Sequence, residues 1–188
     1  QLTYAIVSSK DNLKNIETIR TNQLKNAGII DGDVNPEKAI VWLSYNVHGN
    51  EASSSEAAMQ TLYILITKKQ LWLENTVVII DPCINPDGRD RYVNWYNQVK
   101  ATPYDVKQVA AEHNEPWPGG RANHYLFDLN RDWVWATQIE TTQRLKLYNR
   151  WMPHIHIDFH EQGINEPYYF APAAEPYHEV ISDWQRDF

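Results

Sequence analysis

Residues 39–47, reading AIVWLSYNV, form an apolar run interrupted by few polar side chains. A run this short and this continuous reads as a strand buried on both faces, and such a strand needs helices packed above and below it. The flanking pattern supplies them. Residues 4–7, YAIV, read as a strand. A helical pattern follows in which Leu13, Ile16, Ile19 and Leu24 recur at roughly helical spacing, until Gly28 and the cluster at 31–33 break it. After the central run, residues 51–69 read as a helix through Ala52, Met59, Leu62, Leu65 and Ile66, and residues 76–81 as a second buried strand. That strand ends at Pro82 and the turn-like NPDG at 85–88. The Asn-, Pro- and Gly-rich stretch at 97–125 reads as a long surface excursion, a class of loop that is usually functional. Residues 136–151 are predicted helical, 155–159 a fourth strand and 168–170 a fifth. Strands alternating with helices predict an α/β fold: a three-layer sandwich with a mixed, mainly parallel central sheet, as one domain over residues 1–188.

Composition narrows the partners. Lys and Arg total 17 against 24 Asp and Glu, a net charge of −7, and no basic block exceeds a pair, which argues against a phosphate-tracking nucleic-acid surface. The single Cys83 excludes an internal disulfide and any thiolate-based metal cluster. No apolar stretch is long enough to span a membrane. The chain starts at Gln1 with a strand following almost at once, so a piece of a longer or processed polypeptide is expected.

The chemistry concentrates at the ends of the predicted strands, where α/β sheets place their ligands. His48 and Glu51, three positions apart at a strand-to-helix turn, can face one ion together, with Gly49 between them to let backbone pass close by. An isolated HxxE arises often by chance; His160 changes its weight. It directly follows the strand at 155–159, whose period of two puts His154, His156, Asp158 and His160 on one face. Two imidazoles and one carboxylate make a three-ligand set with a fourth position open, the arrangement of catalytic rather than structural zinc. His154 and His156 are expected to pack or to support the ligands. A second polar cluster, DLNRDW at 128–133, combines carboxylate, amide and guanidinium in a way that suits anion recognition and orientation of an imidazole, and taken alone it reads equally as a surface salt-bridge cluster.

The order HGNE, NPDG, an Arg nine residues before the Asn of DLNRDW, and a strand ending in His160 resembles the zinc metallocarboxypeptidases related to carboxypeptidase A, over about residues 40–170. The resemblance implies one zinc ion on His48, Glu51 and His160, with Asp128 orienting His48. It implies that Asn130 and Arg131 grip the terminal carboxylate of a peptide substrate, and that Arg121 polarises the scissile carbonyl and steadies the oxyanion. The implied activity is hydrolysis of C-terminal peptide bonds, and a secreted or periplasmic setting is expected. This sequence departs from the family twice. Asn50 stands where pancreatic-type members carry an Arg between the ligands, and the family's general-base Glu and substrate-capping Tyr fall beyond Phe188, so the domain is expected to be truncated at its C-terminus and weak in isolation. Glu161, which should project away from the metal, and Glu166 and Glu175 are the local carboxylates that could substitute. Two rival readings are an aspartoacylase or succinylglutamate-desuccinylase-like amidohydrolase, which also uses HGNE-like ligands, and a non-catalytic zinc-containing peptide-binding module.

Overall fold

A computed structural model describes residues 2–35, 38–163 and 175–187. The expected fifth strand at 168–170 and Glu166 lie outside the described residues. Among the described residues there are four strands: β1 Ala5–Val7, β2 Ala39–Tyr45, β3 Thr76–Asp81 and β4 Ile155–Phe159. They form one sheet in the order β1-β3-β2-β4, with β1 antiparallel to β3 and the β2–β3 and β2–β4 pairs parallel. The helices are α1 Lys10–Lys14, α2 Ile16–Asn26, α3 Ala52–Thr67, α4 Pro86–Val99, α5 Ile139–Trp151 and α6 Asp183–Asp187.

The side-chain period of two in β2 and β3 builds two cores. Leu43, Tyr45, Val78 and Ile80 face α3 and pack with its Ala58 and Leu65. Ile40, Trp42, Val77 and Ile79 face the other way, against Trp151 and Leu147 of α5 and Ile16 and Ile19 of α2. Helices on both faces of a mixed, mainly parallel sheet make the predicted three-layer α/β sandwich. Among the described residues no helix is long and apolar enough to cross a membrane.

Two elements differ from the sequence reading. The NPDG segment is not merely a turn but the start of α4: the Asn85 side chain accepts from the Gly88 amide at 2.9 Å, and Pro86 occupies the first turn, where a missing N–H costs nothing. The predicted helix at 136–151 starts later, at Ile139. The buried Asp132 carboxylate accepts from Thr137 N and Oγ1 and from Gln138 N, and Ala136 has φ 49°, so this stretch is held in a turn rather than a helical one. Within the long excursion, the buried Glu112 carboxylate accepts from the amides of Ala101 and Asp105, which gives the loop an internal anchor.

Candidate metal centre

The loop from β2 to α3 is shaped by a fully buried amide. Asn46 sits at φ 59°, a region Asn tolerates better than most residues, and its Nδ2 donates to the carbonyls of His48 (2.8 Å) and Glu51 (3.0 Å). Its backbone N–H donates to Ser54 Oγ at 2.9 Å, tying the strand end to the first turn of α3. Asn85, also fully buried, reaches from the start of α4 to the carbonyls of Val47 (3.3 Å) and Arg121 (3.1 Å). The glycines explain why these segments come so close. A β-carbon on Gly49 would collide with the Gly88 carbonyl carbon and the Arg89 amide nitrogen, and one on Gly88 with the Gly120 carbonyl oxygen. Gly49 therefore admits the backbone of α4 and of the 119–121 segment, where the sequence reading had it admitting backbone to the metal.

His48, 2 % exposed, and Glu51 project from this loop, and His160 follows the end of β4. One ligand atom from each lies within 4.8 Å of the others. His48 Nδ1 is 2.6 Å from Glu51 Oε1, and His160 Nδ1 is 3.1 Å from Glu51 Oε2. The outer ring nitrogens meet carboxylates: His48 Nε2 lies 3.1 Å from Asp128 Oδ1, and His160 Nε2 lies 3.0 Å from Asp158 Oδ2. A proton on Nε2 donated to those carboxylates leaves each Nδ1 lone pair turned inward, which is how ligating imidazoles are commonly held. Two such nitrogens and a carboxylate fit zinc. Burial works to raise the Glu51 carboxyl, but His48 and His160, which bond and attract it when protonated, together with the hydrogen bond from the Glu161 amide outweigh it, so Glu51 is held below the ordinary carboxylate range.

The other expected residues cluster with differing closeness. Arg121 Nε and Nη2 are both 3.0 Å from Asp128 Oδ2, and its Nη1 is 3.4 Å from His48 Nδ1, which places the guanidinium beside the ligands. Asp128 is itself kept low: burial raises it, and the His48 charge, the Asn130 amide and Arg121 outweigh that. Asn130 donates its amide to Asp128 Oδ1 at 2.9 Å, and its Nδ2 lies 3.4 Å from His160 Nε2. Arg131 is exposed and donates to the Asn130 carbonyl at 3.1 Å, turned along its own turn rather than onto the His-Glu-His cluster. His156 lies 2.7 Å from Ser44 Oγ, and His154 Nδ1 accepts from the Ile40 amide, so neither belongs to the cluster. Asn50 donates to Glu115 at 2.8 Å, and Glu115 in turn accepts from Gly120 N, so the residue that departs from the pancreatic-type pattern braces the loop carrying Arg121.

Sequence reasoning missed Asn46, Glu115 and Asn123. The last is fully buried, accepts from the amides of Tyr125 and Phe127 and so shapes the approach to Asp128. For Asn46 the available signal was an amide interrupting an apolar run just before the ligand loop; Glu115 and Asn123 carried none.

A mainly parallel sheet bearing a His-Glu-His cluster at the carboxyl ends of its strands defines a metal-binding α/β domain. The comparisons with known proteins specify which. The sequence matches the zinc carboxypeptidase family over residues 2–155, and the chain belongs to that family. It is 30 % identical over 128 residues to "Probable carboxypeptidase 2" of Arthroderma benhamiae, a match covering 66 % of this chain and 19 % of the relative. It is 29 % identical, with the same coverage, to "Probable carboxypeptidase 2" of Trichophyton verrucosum and to "Carboxypeptidase 2" of Trichophyton tonsurans. The match thus spans about a fifth of the length of these relatives. Zinc is the family's metal, and the donor set at His48, Glu51 and His160 is able to hold it.

Proposed function

We propose that this chain carries the zinc centre and the substrate-carboxylate grip of a carboxypeptidase that removes residues from the C-termini of peptides. The observation that carries the reading is the convergence of two inward-facing imidazole nitrogens and one carboxylate beside a guanidinium, in a chain of the zinc carboxypeptidase family. Held by these three residues, zinc supplies Lewis-acid chemistry, lowering the pKa of a coordinated water towards neutrality and polarising a carbonyl.

The protein side chains do the rest. Asp128 holds the His48 tautomer through Nε2 and simultaneously aims Arg121, so one carboxylate orients a ligand and a cation together. Arg121, with Nη1 at the edge of the cluster, donates to the oxygen on which negative charge develops as the peptide carbonyl is attacked. Asn130 and Arg131 receive the free terminal carboxylate, Arg131 by exchanging its bond to the Asn130 carbonyl for the substrate; a guanidinium can pair with a carboxylate through two N–H groups at once. Among the described residues, each carboxylate around the cluster already holds a partner: Glu51 the imidazoles, Asp128 His48 and Arg121, Asp158 His160 through Oδ2, and Glu161 Ser53. That arrangement supports a general base contributed by another part of a longer polypeptide.

The test is hydrolysis of N-blocked dipeptides by the natural full-length polypeptide, beside N-acyl amino acids as the competing substrate class. Activity on the dipeptides should vanish on chelation, return with zinc, and be absent in His48→Ala. Undiminished hydrolysis after chelation refutes the reading, as does a preference for N-acyl amino acids; peptide affinity without turnover would make the domain a binding module.

A further inference from the structure

Helix α3 begins directly after a metal ligand, and this creates a conflict. Glu51 occupies the N-cap position, where a side chain ordinarily accepts from the first free helical N–H groups, yet it makes no such bond. Its carboxylate is turned away onto His48 and His160. Without another acceptor, the start of α3 would pull the Glu51 side chain back towards itself.

Glu161, the residue after the third ligand, provides that acceptor. Its Oε1 takes hydrogen bonds from both the Ser53 amide and Ser53 Oγ, each at 2.5 Å, which puts a negative charge at the positive end of a 16-residue helix. The backbone of the same residue works on the other side: Glu161 N donates to Glu51 Oε2 at 3.0 Å, the oxygen that His160 Nδ1 meets at 3.1 Å. Next to it, Ser54 Oγ lies 3.4 Å from the Phe159 carbonyl while accepting from Asn46 N. The end of β4 and the start of α3 are therefore laced together at three consecutive residues around the ligands. The sequence expectation that Glu161 projects away from the metal is met in part: its carboxylate leaves the cluster, but it lands on the helix that carries Glu51.

We propose that Glu161 is a positioning residue of the metal centre, which caps α3 in place of Glu51, frees the Glu51 carboxylate to face the imidazoles, and fixes His160 against it. The inference rests on the metal-centre reading above. Gln at 161 retains an acceptor at the same reach, Asp retains the charge but is one methylene too short, and Ala retains neither.

The experiment measures zinc affinity of the full-length polypeptide by competition with a chromophoric chelator, and the visible spectrum of the cobalt-substituted form, for wild type, Glu161→Gln, Glu161→Asp and Glu161→Ala. Glu161→Gln should stay within a few-fold of wild type, whereas Glu161→Asp and Glu161→Ala should bind roughly 10- to 100-fold more weakly with an altered cobalt spectrum. Ser9→Ala removes the side-chain cap of α1; it should lower stability without changing either readout. Equal affinity across the series overturns the proposal, and so does a Gln variant as weak as Asp. Should the Ala variant fail to fold, the Gln and Asp pair decides alone. Absence of zinc binding by the wild type would overturn this inference and the metal-centre reading together, whereas an insensitive series on a zinc-binding wild type overturns this inference only.

Discussion

Gly49→Ala tests the idea that the ligand loop is set by backbone packing rather than by its own conformational preference. The new β-carbon would collide with the Gly88 carbonyl carbon and the Arg89 amide nitrogen and lie 2.6 Å from the Gly120 carbonyl oxygen. All three are backbone atoms, so no side-chain rotation makes room. Restoring ordinary contact at about 3.5 Å requires the loop to withdraw by roughly 1 to 1.5 Å. Overpacking costs about 1 to 3 kcal/mol, and three backbone segments moving together put this case at the upper end, near 3 kcal/mol. For a domain of this size that lowers Tm by roughly 6 to 12 °C. His48 and Glu51 flank the substitution, and metal–ligand distances tolerate only about 0.2 Å, so zinc affinity should fall more than tenfold as well. Gly28→Ala is the control: its φ of 69° is costly to a β-carbon but nothing lies within 4 Å, so it should lose about 1 to 2 kcal/mol and bind zinc normally. Thermal unfolding with chelator competition reads both effects. A Gly49→Ala variant within about 0.5 kcal/mol of wild type, the range of an ordinary surface change, and with unchanged zinc affinity, refutes the reasoning.

Asp81, at the end of β3, carries a pH prediction. Burial pushes its carboxyl from 3.8 up to about 6, against the charge of the buried Arg144 and with that of Asp158. A carboxyl raised on folding binds its proton more tightly in the native state, so its contribution is present at low pH and is lost as pH rises from about 4 to about 6. The shift corresponds to about 3 kcal/mol. Urea unfolding should show Asp81→Asn gaining that much on the wild type across this window, and parallel pH profiles for the two proteins would contradict it. At the metal centre, Asp128→Asn weakens the hold on the His48 tautomer and on Arg121, so zinc affinity should fall roughly 10- to 100-fold in chelator competition; an unchanged affinity would remove Asp128 from its supporting role.

The layers of the sandwich were legible in the sequence because burial on both faces writes itself as apolar runs, and β2, β3 and β4 fall at 39–45, 76–81 and 155–159. The ligands were legible for a different reason: His, Glu and Asp at strand ends are costly to place without a partner, and the partners prove to be one another. Helix α4 was not, because Asn, Pro and Gly in succession signal a turn as strongly as they signal a capped helix start. What decides between the two is whether Asn85 finds acceptors on the far side, and Val47 and Arg121 are remote in sequence.

The same limit explains the glycines and amides around the ligands. Gly49, Gly88 and Gly120 belong to three separate segments: a β-carbon on Gly49 would meet the backbone of both Gly88 and Gly120, and one on either of those two would meet the other's carbonyl oxygen. Asn46, Asn85 and Asn123 are fully buried, and each satisfies backbone groups that a loop without regular pairing would otherwise leave bare. A buried amide of this kind stands in for the ladder that a strand or helix would have provided. The loop that carries His48 and Glu51 beyond the end of β2 is therefore hydrogen-bonded although its backbone is irregular. Glu161 extends that logic from amides to a carboxylate, since it satisfies the helix start that the ligand Glu51 has left open.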